Sequence, residues 1–73
     1  MFTIEFRSRF NDWDVIPIPK LKRIGREKAK DFFEKFISSI YGSPKFVFKE
    51  FFEGCEYRLL DKDSNIITER RIL

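Results

Sequence analysis

The first ten residues alternate between apolar and polar side chains, which is the pattern of a β-strand with one solvent-facing side. Phe2, Ile4 and Phe6 share one parity, and the residues between them are polar. The pattern predicts a first strand over residues 2–10. Asn11 and Asp12 follow it with typical turn chemistry.

A second apolar, β-branched run covers residues 13–18. Its position directly after the turn predicts a hairpin with the first strand. Pro17 and Pro19 have no backbone N–H to donate to a ladder. The second strand is therefore predicted to be short, to lie at a sheet edge, or to end near Ile16.

The middle of the chain carries apolar residues at steps of three and four, which is the spacing of one helical face. These residues are Ala29, Phe32, Phe33, Phe36, Ile37, Ile40 and Tyr41. The predicted helix begins near Gly25 and ends before Gly42, which suits a left-handed position after a helix. Phe32, Phe36 and Ile40 are predicted to be buried against the sheet.

After Lys45 the period returns to two, which predicts three further strands. The third covers residues 45–52, and the fourth places Cys55, Tyr57 and Leu59 on one side. A cluster of turn residues at 61–65 separates it from a fifth strand at 66–68, so these two are predicted to pair as a hairpin.

Phe51 and Phe52 are adjacent, and adjacent strand residues face opposite sides of a sheet. One of them is then exposed, bulged inward or part of an interface. An exposed aromatic patch favours association with a second copy, so both are candidate interface residues of a homodimer.

Together these elements predict one α+β domain over residues 1–73. One amphipathic helix packs on an antiparallel sheet of four or five strands in the order β-β-α-β-β-β. The chain is too short for a second domain. Ten Phe among 73 residues supply the apolar packing that so small a domain needs.

The composition excludes most familiar catalytic sites. The chain has no His and one Cys, so it cannot build a Ser-His or Cys-His pair, a His-ligated metal site or an internal disulfide. Cys55 has no neighbouring base in the sequence, and a small buried apolar residue is its ordinary role. We therefore expect no enzyme activity, no cofactor and no metal.

The N-terminal segment carries charges within its first ten residues and no long apolar run. Such a segment is unlike a signal peptide or a membrane span. With one Cys, a reducing compartment fits, so the expected location is the cytoplasm, with no membrane partner.

The strongest charge feature is the basic segment at residues 20–30. It holds six basic residues against one acidic residue, whereas the rest of the chain has nine against eleven. The six are Lys20, Lys22, Arg23, Arg26, Lys28 and Lys30. They lie where the helix is predicted to begin, and a helix N-terminus also favours anions.

Three interpretations of this segment stay open. It could contact a phosphate backbone, contact an acidic protein surface, or be a solvated face, which is what most charge runs are. Base stacking would need exposed aromatic residues, and the strand aromatics have the spacing of a core. The sequence also lacks the aromatic signature of an RNA-recognition sheet.

Three pieces of the sequence resemble a pattern in small orphan α+β proteins encoded by bacteriophages. They are Trp13 with Ile16, Arg26-Glu27-Lys28-Ala29 with Phe32 and Phe33, and Tyr57-Arg58-Leu59-Leu60-Asp61. The chain departs from the pattern in having Gly25 in place of a Ser or Thr N-cap, and in its additional Phe-rich segment at 46–52. The resemblance implies binding and redirection of a host protein, in some cases to block bacterial defence. It carries over no site residues.

The sequence thus predicts a non-enzymatic protein-interaction module, in concrete form a phage-type regulator or inhibitor that binds a host bacterial protein with an acidic surface. The alternative is a small basic nucleic-acid-binding protein. The salt dependence of binding separates the two, because phosphate contacts lose affinity steeply with salt.

Overall fold

The computed structural model describes residues 1–8, 12–41 and 54–72. The elements within them are β1 (Thr3–Arg7), β2 (Asp14–Ile16), a 3₁₀ helix (Pro19–Lys22), α1 (Arg26–Tyr41), β3 (Glu56–Leu60) and β4 (Ile66–Arg71). The four described strands form one antiparallel sheet in the order β2-β1-β3-β4, and α1 packs on one face. The predicted α+β class is confirmed. The strand predicted over residues 45–52 lies outside the described residues.

The first hairpin joins β1 and β2 in the register that the alternating pattern predicts. Ile4 lies opposite Ile16 in β2 and opposite Leu59 in β3, which places three apolar side chains in a row across the sheet. β2 is three residues long and ends before Pro17, at one edge of the described sheet. A short strand that ends near Ile16 is what the sequence predicts, because Pro17 and Pro19 have no backbone N–H to donate.

The second hairpin is built around Asp61. One of its carboxylate oxygens accepts hydrogen bonds from the backbone N–H groups of Asp63 and Asn65, both at 2.9 Å. Ser64 adopts a positive φ of 66°, in the left-handed region that few residues other than glycine enter. β4 runs from Ile66 to Arg71 and is longer than the predicted 66–68, with a register irregularity opposite Leu59 and Leu60.

The core lies between α1 and the sheet, and its members among the described residues are apolar apart from the Tyr57 hydroxyl and the Cys55 thiol. Its buried members are Ile4, Leu21, Ala29, Phe33, Ile37, Cys55, Tyr57, Leu59 and Ile72. The prediction that Cys55, Tyr57 and Leu59 share one side is confirmed, since all three are buried; Cys55 directly precedes β3, and Leu60 at the end of β3 is buried as well.

The predicted apolar face of α1 packs against the core, but the row of residues predicted to be buried is not the most buried one. The sheet covers Ala29, Phe33 and Ile37, whereas the predicted Phe32, Phe36 and Ile40 are only half-buried and pack along the flank of the core. The two rows are about 60° apart around an α-helix. The sheet packs against the row that includes Ala29, since its small side chain allows close approach.

The face of the sheet that points away from α1 carries an ordered group of charges around Trp13. Arg58 Nε donates a hydrogen bond to Glu5 Oε1 at 2.8 Å, and Arg7 Nη2 donates one to Glu56 Oε1 at 2.6 Å. Both pairs lie directly opposite each other in the β1–β3 ladder. The two guanidinium groups lie over the Trp13 ring, at 4.9 Å for Arg7 and 3.8 Å for Arg58.

Neither helical segment in the described part of the chain combines the length and the apolar character that crossing a bilayer requires.

Candidate functional site

The predicted basic segment lies on the 3₁₀ helix and the first turns of α1. All six residues of the prediction are exposed: Lys20, Lys22, Arg23, Arg26, Lys28 and Lys30. Leu21 fixes the 3₁₀ helix because its side chain is buried, and its carbonyl oxygen accepts a hydrogen bond from Phe2 N at 3.2 Å. With Leu21 anchored inward, the lysines on either side of it are directed to solvent.

A depression of about 260 Å³ lies between the 3₁₀ segment and α1. It is lined by Lys20, Ile24, Lys28, Asp31, Phe32 and Lys35. Three of these residues are cationic, one is acidic and two are apolar. We call it the mixed depression, because it combines a basic rim with an apolar floor.

Two contacts position the rim of the mixed depression. Lys20 Nζ lies 5.3 Å from the centroid of the Phe32 ring, which is within the range of a cation–π contact. Lys35 Nζ lies 3.1 Å from Asp31 Oδ2, one helical turn earlier. Phe32 is half-buried because its inner edge packs against the core. The apolar floor is therefore packed against the core of the fold.

A second, shallower depression of about 410 Å³ adjoins the first. It is lined by Pro19, Lys20, Lys22 and Arg23, so it is more basic than the mixed depression. Lys20 lines both depressions and joins them into one surface. We call the five cations of the two depressions the basic surface: Lys20, Lys22, Arg23, Lys28 and Lys35.

Arg26 and Lys30 do not belong to this surface. Arg26 Nη2 lies 3.8 Å from Asp61 Oδ2, at the turn between β3 and β4. Lys30 follows Lys28 by two residues, so the two point to different sides of the α-helix. Lys30 lines neither depression. The six residues that the sequence grouped together are thus divided between different sides of the molecule.

The carboxylate of Asp61 is held in its charged form by this arrangement. Its pKa is lowered from the ordinary value, first by the hydrogen bond from Asn65 N, then by that from Asp63 N and by the amide of the Asn65 side chain. Arg26 adds a smaller attraction. Arg26 therefore faces the second hairpin and not the basic depressions.

The remaining predicted residues give no further site. Phe51 and Phe52, the predicted homodimer interface, lie outside the described residues. Cys55 is 3% exposed, so the prediction of a buried small side chain is confirmed. Among residues 1–8, 12–41 and 54–72, no three His, Cys, Asp or Glu side chains form a group that could hold a metal ion.

Sequence reasoning missed Lys35, Ile24 and Phe32 as members of the site. Lys28, Asp31 and Lys35 are separated by three and four residues, so they share one face of α1. This helical spacing can be read from the sequence. The packing of the 3₁₀ helix beside this face of α1 cannot, because it depends on the burial of Leu21.

No protein-family model matches this sequence, and no curated protein or solved structure matches it.

Proposed function

We propose that this protein is a non-enzymatic interaction module that binds an acidic surface of a protein partner through its basic surface. The observation that carries the proposal is the exposure of these cations. Within the described residues, Lys20, Lys22, Arg23 and Lys28 make no ion pair, and Lys35 pairs only with Asp31. By contrast, Arg7 and Arg58 on the outer sheet face are each paired with a glutamate.

Among the residues that the structure describes, the placement of the aromatic rings favours a protein partner over nucleic acid. Binding of single strands uses exposed rings on which bases stack. Tyr57 stacks on Phe6 at 5.6 Å and meets Phe36 edge-on at 5.7 Å, so these rings pack against one another on the core side of the sheet. Near the basic surface, Phe32 is covered on one side by the core and approached by Lys20.

The chemistry of the chain supports a binding role. A protein without His lacks the most common general base, and the single Cys55 is buried in the core. The resemblance to small bacteriophage proteins gives the proposal its concrete form, in which the partner is a bacterial host protein and the module regulates or inhibits it.

Affinity capture from bacterial lysate tests the proposal. The wild-type chain and a Lys20→Glu/Lys22→Glu variant are used as baits, with and without nuclease, and captured proteins are quantified by mass spectrometry. We expect at least one protein with an acidic surface to be retained after nuclease treatment and lost with the variant. The substituted residues are exposed, so the variant keeps the fold, which circular dichroism verifies.

A Lys30→Glu/Lys62→Glu variant is the charge control, because both residues are exposed and lie outside the basic surface. It should retain the partner. Loss of all specific capture after nuclease treatment would contradict the proposal and support the nucleic-acid alternative. Equal loss with the control variant would also contradict it, since net charge alone would then explain binding.

A further inference from the structure

The mixed depression has an apolar floor, which a purely electrostatic contact does not require. Phe32 and Ile24 are half-buried and line it together with Lys20, Lys28 and Lys35. We infer that the mixed depression receives an apolar side chain from an acidic segment of the protein partner, with carboxylates on both sides of that side chain meeting the lysines. This inference rests on the proposed function and names the segment that would be recognised.

The size of the depression fits one side chain. Its volume is about 260 Å³. This is slightly below the roughly 300–1,000 Å³ of pockets that enclose whole small-molecule ligands. A leucine or phenylalanine of the partner would cover the exposed edge of Phe32. Burial of one such side chain supplies specificity that charge attraction alone lacks.

Asp31 disfavours an anion in the depression. Its side chain lines the same depression and is 66% exposed, with Oδ2 3.1 Å from Lys35 Nζ, so an anion beside it would face a like charge that Lys35 offsets only in part. An uncharged side chain meets no such repulsion. The acidic groups of the partner therefore stay at the rim, where Lys20 and Lys28 have no carboxylate partner among the described residues.

The second depression extends the contact in one direction. Lys22 and Arg23 line it beside the shared Lys20, so carboxylates on one flank of the apolar side chain meet additional cations. An extended chain advances about 3.3–3.6 Å per residue, so acidic residues directly next to the apolar residue reach both depressions. The recognised segment is thus short, with an apolar residue between acidic ones.

A peptide titration followed by NMR tests this inference on the full chain. The probe is the capped peptide Gly-Glu-Glu-Leu-Glu-Glu-Gly, added to isotope-labelled protein up to millimolar concentration at physiological ionic strength. We expect saturable shifts centred on Ile24, Lys28 and Phe32. A matched peptide with Ser in place of Leu should bind roughly tenfold to a hundredfold more weakly, which is the effect of losing one buried aliphatic side chain.

Protein variants locate the site. Lys28→Glu/Lys35→Glu should weaken binding of the Leu peptide about tenfold, because two attractive contacts become repulsive. Lys30→Glu/Lys62→Glu makes the same change in net charge away from the depression and should weaken binding less than about threefold. All four residues are exposed, so the folded state is retained in both variants.

Three results would overturn the inference: no saturable shifts, equal affinity for the Leu and Ser peptides, or equal weakening by the two double variants. Tighter binding of a single-stranded oligonucleotide with shifts at the same residues would overturn it as well. The proposed function has its own test: it is contradicted if no protein in the lysate experiment is retained in a way that depends on the basic surface. Capture that depends on Lys20 and Lys22 without peptide recognition would contradict the inference alone.

Discussion

The guanidinium carbon of Arg58 lies 3.8 Å from the ring centroid of Trp13, on the face of the sheet that points away from α1. Arg58 belongs to a central strand of the described sheet, whereas Trp13 directly precedes β2, the short strand at one edge of that described sheet. Their contact therefore ties the start of β2 across β1 to β3. β2 has only three residues of ladder, so a side-chain contact of this kind adds to its attachment.

A double-mutant cycle measures this contact. We expect Trp13→Leu and Arg58→Met to be coupled by about 0.5–1 kcal/mol in the free energy of unfolding, the magnitude of a partly exposed cation–π pair. The same Trp13 substitution combined with Arg70→Met is the control, because Arg70 pairs with Glu34 of α1. Coupling of zero for the first pair would contradict the arrangement.

The helix register predicts a difference between two neighbouring phenylalanines. Phe33 is fully buried, so Phe33→Ala should lower the free energy of unfolding by about 3–5 kcal/mol. Phe36 is half-buried and contacts Tyr57 edge-on, so Phe36→Ala should cost about half as much. Urea denaturation measures both, and Phe33→Leu provides a milder change should the first variant unfold. A larger loss of unfolding free energy for Phe36→Ala than for Phe33→Ala would contradict the observed burial and support the row that the sequence predicted.

These two residues also show how far the sequence predicts the fold. Period and turn chemistry place the strands and the helix, because each pattern depends on residues close together in the chain. Period and turn chemistry do not decide whether the helical row with Phe33 or the row with Phe36 is the more deeply buried one. Both rows are apolar, and the outcome depends on the sheet that packs against them. The site shows the same limit: the basic residues are adjacent in sequence, but only the fold places Lys28 beside Lys20 and turns Lys30 away.

The carboxylate of Asp61, at the turn between β3 and β4, makes a pH-dependent contribution to the stability of the fold. The pKa of Asp61 is lowered in the folded chain, mainly by the hydrogen bond from Asn65 N, so its charged form favours folding. The contribution is present above the ordinary pKa of 3.8 and is lost as the pH falls through the lowered value of the folded state.

Asp61→Asn should therefore lower stability at neutral pH and flatten the decline of stability in acid. Thermal melts between neutral pH and strongly acidic pH measure this. Stability of the Asp61→Asn variant should still fall somewhat in acid, because the pKa of Glu56 is also lowered, by the hydrogen bond from Arg7. Asp63→Asn is the control, since Asp63 contributes its backbone N–H to the turn. If the melting temperature of Asp61→Asn fell with decreasing pH as steeply as that of the wild type, the role given to the Asp61 carboxylate would be refuted.

The sequence prediction of a homodimer stays a prediction, because it rests on Phe51 and Phe52. We expect sedimentation equilibrium to give a dimer at high micromolar concentration and a monomer for Phe51→Ser/Phe52→Ser, which removes both apolar rings. A monomeric wild-type chain at that concentration would exclude the interface.

The rates at which the chain binds its captured protein partner test the central claim most directly. Lys22 and Arg23 lie in the shallower depression, beside rather than within the mixed depression, so their charges should act mainly on the encounter. Lys22→Glu/Arg23→Glu should slow association roughly tenfold at low ionic strength and leave dissociation nearly unchanged, and added salt should reduce the difference. An association rate that neither the charge reversal nor salt alters would contradict the claim that the basic surface attracts an acidic partner.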